Sequence, residues 1–195
     1  STLFPYTTLF RSLTFTIFGF ITFGLLIFSI AGGYERLMKS FYPIKYKTEV
    51  EEASNNYGIE KELIYAIIKC ESGFDKEAHS HANAIGLMQI TPDTFKWLQL
   101  YTREKGLSVE SLKNPRINIK YGTLFISLLR KQYKNDEAVL SAYNAGDSVV
   151  KRWMADRNIS SDGKNLDIIP YKETRYYVRR VIFAKKFYKN LYFKR

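Results

Sequence analysis

A carboxyl group closes an apolar helical run in this chain. Glu71 follows Leu63-Ile64-Tyr65-Ala66-Ile67-Ile68-Lys69-Cys70 and precedes Ser72-Gly73-Phe74, and a second segment, Ala84-Ile85-Gly86-Leu87-Met88-Gln89, comes soon after. An acid at the end of a core helix, facing such a segment, has what glycosidic bond cleavage needs from a general acid. Apolar neighbours desolvate the anion, and a helix C-terminus repels negative charge. Nothing in the local sequence requires a Lys or Arg against it. A carboxyl kept neutral near pH 7 can donate its proton to a leaving sugar oxygen. By itself, Glu71 fits better as a solvated acid in a last helical turn. The second segment suits a sugar cleft. Gly86 lets backbone approach a ligand, Met88 offers an adaptable apolar wall, and Gln89 brings a donor and an acceptor.

Other chemistries find less support. Glycosidases that retain or invert configuration usually pair two carboxylates, and no second acid here has a clear claim. Asp75 is nearest in sequence and reads as a loop residue. A single acid suffices if the substrate supplies its own nucleophile. Cys70 is the only cysteine, so the fold needs no intramolecular disulfide. Thiol catalysis would need a base, for which His79 and His81 are the only histidines. Cys70 is therefore expected as a buried, unreactive thiol. The two histidines lack ligating companions at familiar spacings, so neither a metal site nor a cofactor is expected.

The elements that must position these residues are mostly helical. Thr48-x-x-Glu51 reads as a capping box opening a helix that Gly58 ends. A second helix spans about Glu60 to Glu71. No period holds from Ser72 to Ile90, so this is loop with at most a short strand pair. Thr91-Pro92 and Asn114-Pro115 each supply an N-cap and a first-turn proline. The second of these starts a long helix towards Tyr133. Asp136 is expected to cap the next helix, which carries Ala142-Tyr143-Asn144 near its end, and Asp147 opens another. Pro170 precedes the last. At a helix end, Tyr143 could fill core and Asn144 could cap.

The net charge is +11, compatible with nucleic acid, an anionic membrane or an anionic wall polymer. From Arg175 onward there are eight basic residues, no acid and several interleaved aromatics. Tyr177, Val181, Ala184 and Tyr188 recur at three or four residues, however, as in an amphipathic helix packed on a core. A basic, solvated face is preferred to a nucleic-acid strip. Leu13 to Ala31 is uncharged and rich in Phe, Ile and Leu, and it is about long enough to cross a hydrocarbon core of roughly 30 Å. A retained transmembrane signal anchor over residues 13–32 is preferred to a cleaved signal peptide, for which Ser29-Ile30-Ala31 offers a small-residue site. Residues 2–12 look like the translation of a sequencing-library adapter, so residues 1–12 are set aside as an artefact.

Together the motifs resemble those of lytic transglycosylases of the soluble-lytic-transglycosylase (SLT) type, relatives of goose-type lysozyme. The resemblance rests on Glu71-Ser72, Ser80, the block Ala84 to Gln89, the block Ala142 to Gly146, and Pro170 to Val178 with its Glu-Thr-Arg. It covers roughly residues 48–195 in family order. Asn83 stands where many relatives carry Gly, and Asn tolerates left-handed backbone better than most residues. The resemblance implies a mainly α (α+β) lysozyme-like catalytic domain over residues 48–195, preceded by a juxtamembrane linker, 33–47, and one transmembrane helix.

Its implied substrate is the glycan strand of peptidoglycan, cleaved between N-acetylmuramic acid and N-acetylglucosamine to leave 1,6-anhydromuramyl ends. Glu71 would act as the single acid and base. Ser80 would hydrogen-bond near it, Tyr143 would face it, Asn144 would support the cleft, and Tyr177 would be the second cleft tyrosine. A hydrolytic muramidase on the same fold is the alternative; a non-catalytic wall-binding module fits less well. Arg36, Lys39, Lys45 and Lys47 follow the span while only Arg11 precedes it. A literal count would place the domain inside. A wall substrate instead places it on the outer face of the cell membrane, held by a single pass, without nucleic acid as a partner.

Overall fold

The computed structural model describes residues 6–194, and the chain divides after Pro43 into two units. In the first, α1 (Tyr6–Ile30) is followed by α2 (Gly33–Phe41). The stretch Leu13–Ile30 has a mean hydropathy of 2.2, and none of it is buried in the protein. A helix apolar on every side, with no protein around it, is suited to lipid. Of the adapter-like segment, residues 1–5 lie outside the described residues, and Tyr6 already belongs to α1. The stretch 33–47, expected as linker, carries α2, so only residues 42–46 connect without helix.

The second unit holds α3 (Lys47–Tyr57), α4 (Lys61–Glu71), α5 (Pro92–Thr102), a short 3-10 helix (Val109–Lys113), α6 (Pro115–Gln132), α7 (Asp136–Ala145), α8 (Asp147–Ala155) and α9 (Lys172–Tyr192). Isolated bridges His79–Ile85 and Ile85–Ile90 are the only β pairing among the described residues. Three helix starts among the described residues follow from side-chain caps. Thr91 caps α5 through Thr94 N–H at 3.3 Å. Asn114 caps α6 by accepting from Arg116 and Ile117 N–H, with Pro115 in the first turn.

Two expected caps are displaced. Thr48 and Glu51 form no capping box, because α3 already begins at Lys47 behind a left-handed Tyr46; Glu51 instead pairs with Lys61 at 2.6 Å. Asn135, not Asp136, caps α7, accepting from Ala138 N–H at 2.8 Å. Asp136 is thereby freed to bind Arg130 at 2.8 Å and Lys185 at 2.6 Å.

The core is organised around α4. Leu63 to Ile68 are six consecutive buried residues, so this helix is enclosed on every side. α9 lies along it, burying Tyr177, Val178, Val181, Ala184 and Tyr188, and Tyr188 stacks on Tyr65 with ring centroids 5.4 Å apart. Each such side chain contributes roughly 1.5–3 kcal/mol by leaving water. The ion pairs joining Arg130 and Lys185 to Glu60 and Asp136 are part-exposed and contribute less apiece. They nonetheless fix the starts of α4 and α7 against α6 and α9. Glu173 and Arg175 form no ion pair among the described residues.

Candidate active site

Glu71 ends α4, which packs along α9, and its side chain is only part-exposed. Burial raises its pKa from the ordinary 4.5 to about 7, against the lowering pull of the Tyr177 hydroxyl and the Arg180 guanidinium. Arg180 is thus a basic residue acting on the acid that the local sequence did not require. It projects from α9 one turn beyond Tyr176, over whose ring it sits at 5.6 Å, and donates to the Cys70 carbonyl at 3.4 Å. Desolvation nevertheless prevails, because one exposed guanidinium is screened by water. Near neutral pH the carboxyl can therefore hold its proton far more readily than an ordinary glutamate. Two tyrosines share its surroundings. Burial, with Glu71 nearby, pushes the Tyr143 and Tyr177 hydroxyls well above their ordinary range. Although it acts on Glu71, the Tyr177 hydroxyl is buried and makes no fully formed hydrogen bond.

The segment after Glu71 folds into a tight loop stitched to the helix end. Ser72 Oγ donates to the Leu87 carbonyl at 2.9 Å and accepts from Phe74 N–H at 3.2 Å. Ile85 and Ile90 exchange backbone hydrogen bonds at 3.0 and 3.1 Å, closing Gly86–Gln89 into a turn with Gln89 in the left-handed region at φ 47°. Asn118 of α6 clamps this turn. Its Nδ2 donates to the Ile85 and Leu112 carbonyls, each at 2.8 Å, and its Oδ1 accepts from Met88 N–H at 2.8 Å. Tyr143 of α7 completes the clamp, its hydroxyl donating to the Met88 carbonyl at 2.6 Å. At Gly86 only glycine fits: φ is +77°, and a Cβ there would lie 2.4 Å from Asn118 Nδ2 and 2.5 Å from the Leu112 carbonyl.

Several expected site residues prove to have different jobs. Met88 is not a cleft wall. Its side chain is fully buried and fills the space that a Cβ on Gly122 would occupy, with Sδ 2.5 Å from that position. Gln89 spends its amide hydrogens on the Ala78 and Gly86 carbonyls at 3.1 and 3.0 Å, leaving Oε1 for any ligand. Ser80 closes the turn 80–84, accepting from Ala84 N–H at 3.0 Å. No Ser80–Glu71 bond forms; the serine beside the acid is Ser72. Tyr143 lies near enough to Glu71 to feel its charge, but its proton is committed to the Met88 carbonyl, so its oxygen can only accept. Asn144 is exposed near the end of α7.

The loop reading of Asp75 holds, since its Oδ1 accepts from Glu77 N–H at 2.9 Å. Asn83 takes the left-handed backbone its identity permits, at φ 58°. Burial raises the Cys70 thiol to about 11, and the described residues contain no cluster of potential metal ligands. Sequence inspection missed Asn118 and Arg180. Asn118 had one available signal, a polar residue on the same helical face as Tyr121 and Gly122, both buried.

Residues 49–166 match the family profile described as the Transglycosylase SLT domain. A membrane-bound lytic murein transglycosylase C from Haemophilus ducreyi is 37% identical over 171 residues, covering 75% of this chain and 46% of the relative. The chain thus spans about half the length of this relative. Among solved structures, the 70 kDa soluble lytic transglycosylase of Escherichia coli superposes with a TM-score of 0.70 at 27% identity, over 83% of this chain and 27% of that one. An inactive Glu-to-Gln mutant of the lytic transglycosylase Slt from Pseudomonas aeruginosa gives a TM-score of 0.67 at 28% identity, over 77% and 25%.

Proposed function

Because this chain belongs to the SLT transglycosylase family, we propose that its second unit is a peptidoglycan lytic transglycosylase domain with Glu71 as the single acid and base. The observation that carries this is the state of Glu71: a carboxyl held by burial at a pKa of about 7. Near neutrality it can exist in the two forms that the reaction uses in turn. Protonated Glu71 gives its proton to the oxygen bridging N-acetylmuramic acid and N-acetylglucosamine as that bond breaks. The resulting carboxylate then takes the proton of the muramic acid C6 hydroxyl. The C6 oxygen closes on its own anomeric carbon, leaving a 1,6-anhydro end and consuming no water. Intramolecular attack removes the entropic barrier of recruiting a second reactant, which is why one carboxyl is enough.

The Tyr177 hydroxyl, without a completed bond of its own, can donate to the Glu71 carboxylate after proton transfer. Tyr143 oxygen is a fixed acceptor for a sugar hydroxyl or for protonated Glu71. α1 is proposed to anchor the domain in the cell membrane by a single pass, with the catalytic unit on the wall side. Wild-type protein should release muropeptides with anhydro ends from purified peptidoglycan, as read by mass spectrometry; reducing ends would instead establish hydrolysis. The rate should fall as pH rises through about 7, because the ionised acid cannot protonate the leaving oxygen.

A further inference from the structure

The short helix that follows α1 separates its side chains by polarity. Tyr34, Leu37 and Phe41 of α2 are spaced by three and four residues, so they share one side of the helix, and they are 60%, 48% and 57% exposed. Arg36 and Ser40 lie on the opposite side, and Lys39 pairs with Glu35 at 2.5 Å along the polar flank. The corner between α1 and α2 is built rather than loose. Gly32 takes a left-handed φ of 69°, and a Cβ on Gly33 would lie 2.4 Å from the Phe28 ring of α1. The Ile27 carbonyl accepts from Ala31 N–H at 2.8 Å, and the Ser29 carbonyl accepts from Gly32 N–H at 3.1 Å. α2 therefore starts against the last turn of α1.

We infer that α2 is an interfacial helix, its Tyr34, Leu37 and Phe41 side sunk into the surface of an anionic bilayer and its Arg36 and Lys39 among the lipid phosphates; the inference rests on the membrane anchor proposed above. Depth argues for lipid as the occupant. The apolar run Leu13–Ile30 is about 27 Å long as a helix, close to a hydrocarbon core of roughly 30 Å. Its end, and the start of α2 held against it, thus lie where hydrocarbon meets headgroups. Charge argues for anionic lipid. From residue 33 to residue 47 the sequence has Arg36, Lys39, Lys45 and Lys47 against one acid, Glu35, and basic segments beside a span are drawn to anionic headgroups. Tyr and Phe suit the same layer, where a ring can meet acyl chains and a hydroxyl can meet water. A bulky apolar side opposite a basic one is the pattern of a helix lying in the membrane plane. Nine residues are too few to hold a helix in place by themselves, and the corner with α1 supplies that hold. A protein partner would account for the apolar side alone.

The test uses the full chain in vesicles of phosphatidylcholine and phosphatidylglycerol, with Cys70→Ala so that one introduced cysteine carries a nitroxide. Labels on Leu37→Cys and Phe41→Cys should collide with dissolved oxygen more than with a water-soluble nickel chelate, and should report a depth of roughly 5–10 Å below the headgroup surface. Labels on Arg36→Cys and Ser40→Cys should show the reverse preference. Arg36→Glu with Lys39→Glu should move the label at position 37 towards water in these vesicles and have little effect in phosphatidylcholine alone. A label on Phe20→Cys reads the span separately. Equal nickel contact at all four α2 positions, with position 20 in hydrocarbon, overturns the interfacial helix and leaves the anchor standing. Positions 37 and 41 screened from both reagents would mean a protein cover, a second copy included, and would overturn it as well. Position 20 in water with positions 37 and 41 in lipid refutes the anchor and supports the surface-bound α2.

Discussion

Replacing Glu71 by Gln should abolish cleavage and, above neutral pH, make the protein more stable. The carboxyl titrates at its ordinary 4.5 when unfolded and at about 7 in the folded domain. Between these values the folded state binds more protons than the unfolded state, so stability falls as pH rises. Below 4.5 both states are protonated and the burial carries no penalty; above 7 the penalty is complete. At about 1.4 kcal/mol per pKa unit the ceiling is about 3 kcal/mol. Glu71 keeps some contact with water, which reduces this to roughly 1–3 kcal/mol. Glutamine keeps the shape and cannot ionise. At about 2–4 °C per kcal/mol for a domain of this size, Glu71→Gln should melt roughly 3–10 °C above wild type near pH 8. The two should converge near the ordinary carboxyl pKa. Calorimetric scans of both proteins over that pH range measure the gap directly. A gap that does not change with pH would show that Glu71 is not desolvated in the folded state, and the argument for its protonated form at neutrality would fail.

Tyr143→Phe keeps the ring on Phe125 and removes the proton given to Met88, so stability should drop by about 0.5–1.5 kcal/mol. Turnover per folded molecule should fall by much more, and unchanged turnover would reduce Tyr143 to a packing residue. Asn118→Ala deletes three hydrogen bonds of a buried side chain and strands the Met88 N–H; unfolding in denaturant should show a loss on the order of 3 kcal/mol. Removing residues 1–33 should yield a soluble domain that still clears peptidoglycan, since α4 and its partners form their own core; an unfolded product by circular dichroism would place α1 within the domain.

Much of the helical frame was legible because its signals are local. Thr91-Pro92 and Asn114-Pro115 start α5 and α6 with partners two or three residues away. Adjacent candidates were harder: Asn135 and Asp136 are both good caps, and only the cations of α6 and α9 decide between them. The site was legible where its chemistry sat in one segment, as at Glu71. It was not legible where function depends on direction. Met88 points into α6 because its turn carries left-handed residues on either side, Gly86 and Gln89, and no period reveals that. Asn118 meets Ile85 and Met88 across 33 and 30 positions. Arg180 follows Tyr177 by one helical turn, a local relation, but its effect on Glu71 appears only once α9 lies across the end of α4.

The enclosure of α4 also has a bearing on motion. Amides of Leu63 to Ile68 lie in the most protected stretch of the domain, so their exchange with deuterated water should require global opening, whereas the turn 80–84, with exposed His81, Ala82 and Asn83, should exchange early. Glu71, the proposed acid, is thus carried by a segment that opens late, and the turn 80–84 is one that opens sooner. Warming should loosen this turn before it displaces Glu71, so the proposed chemical step should outlast the order of the loop that follows it.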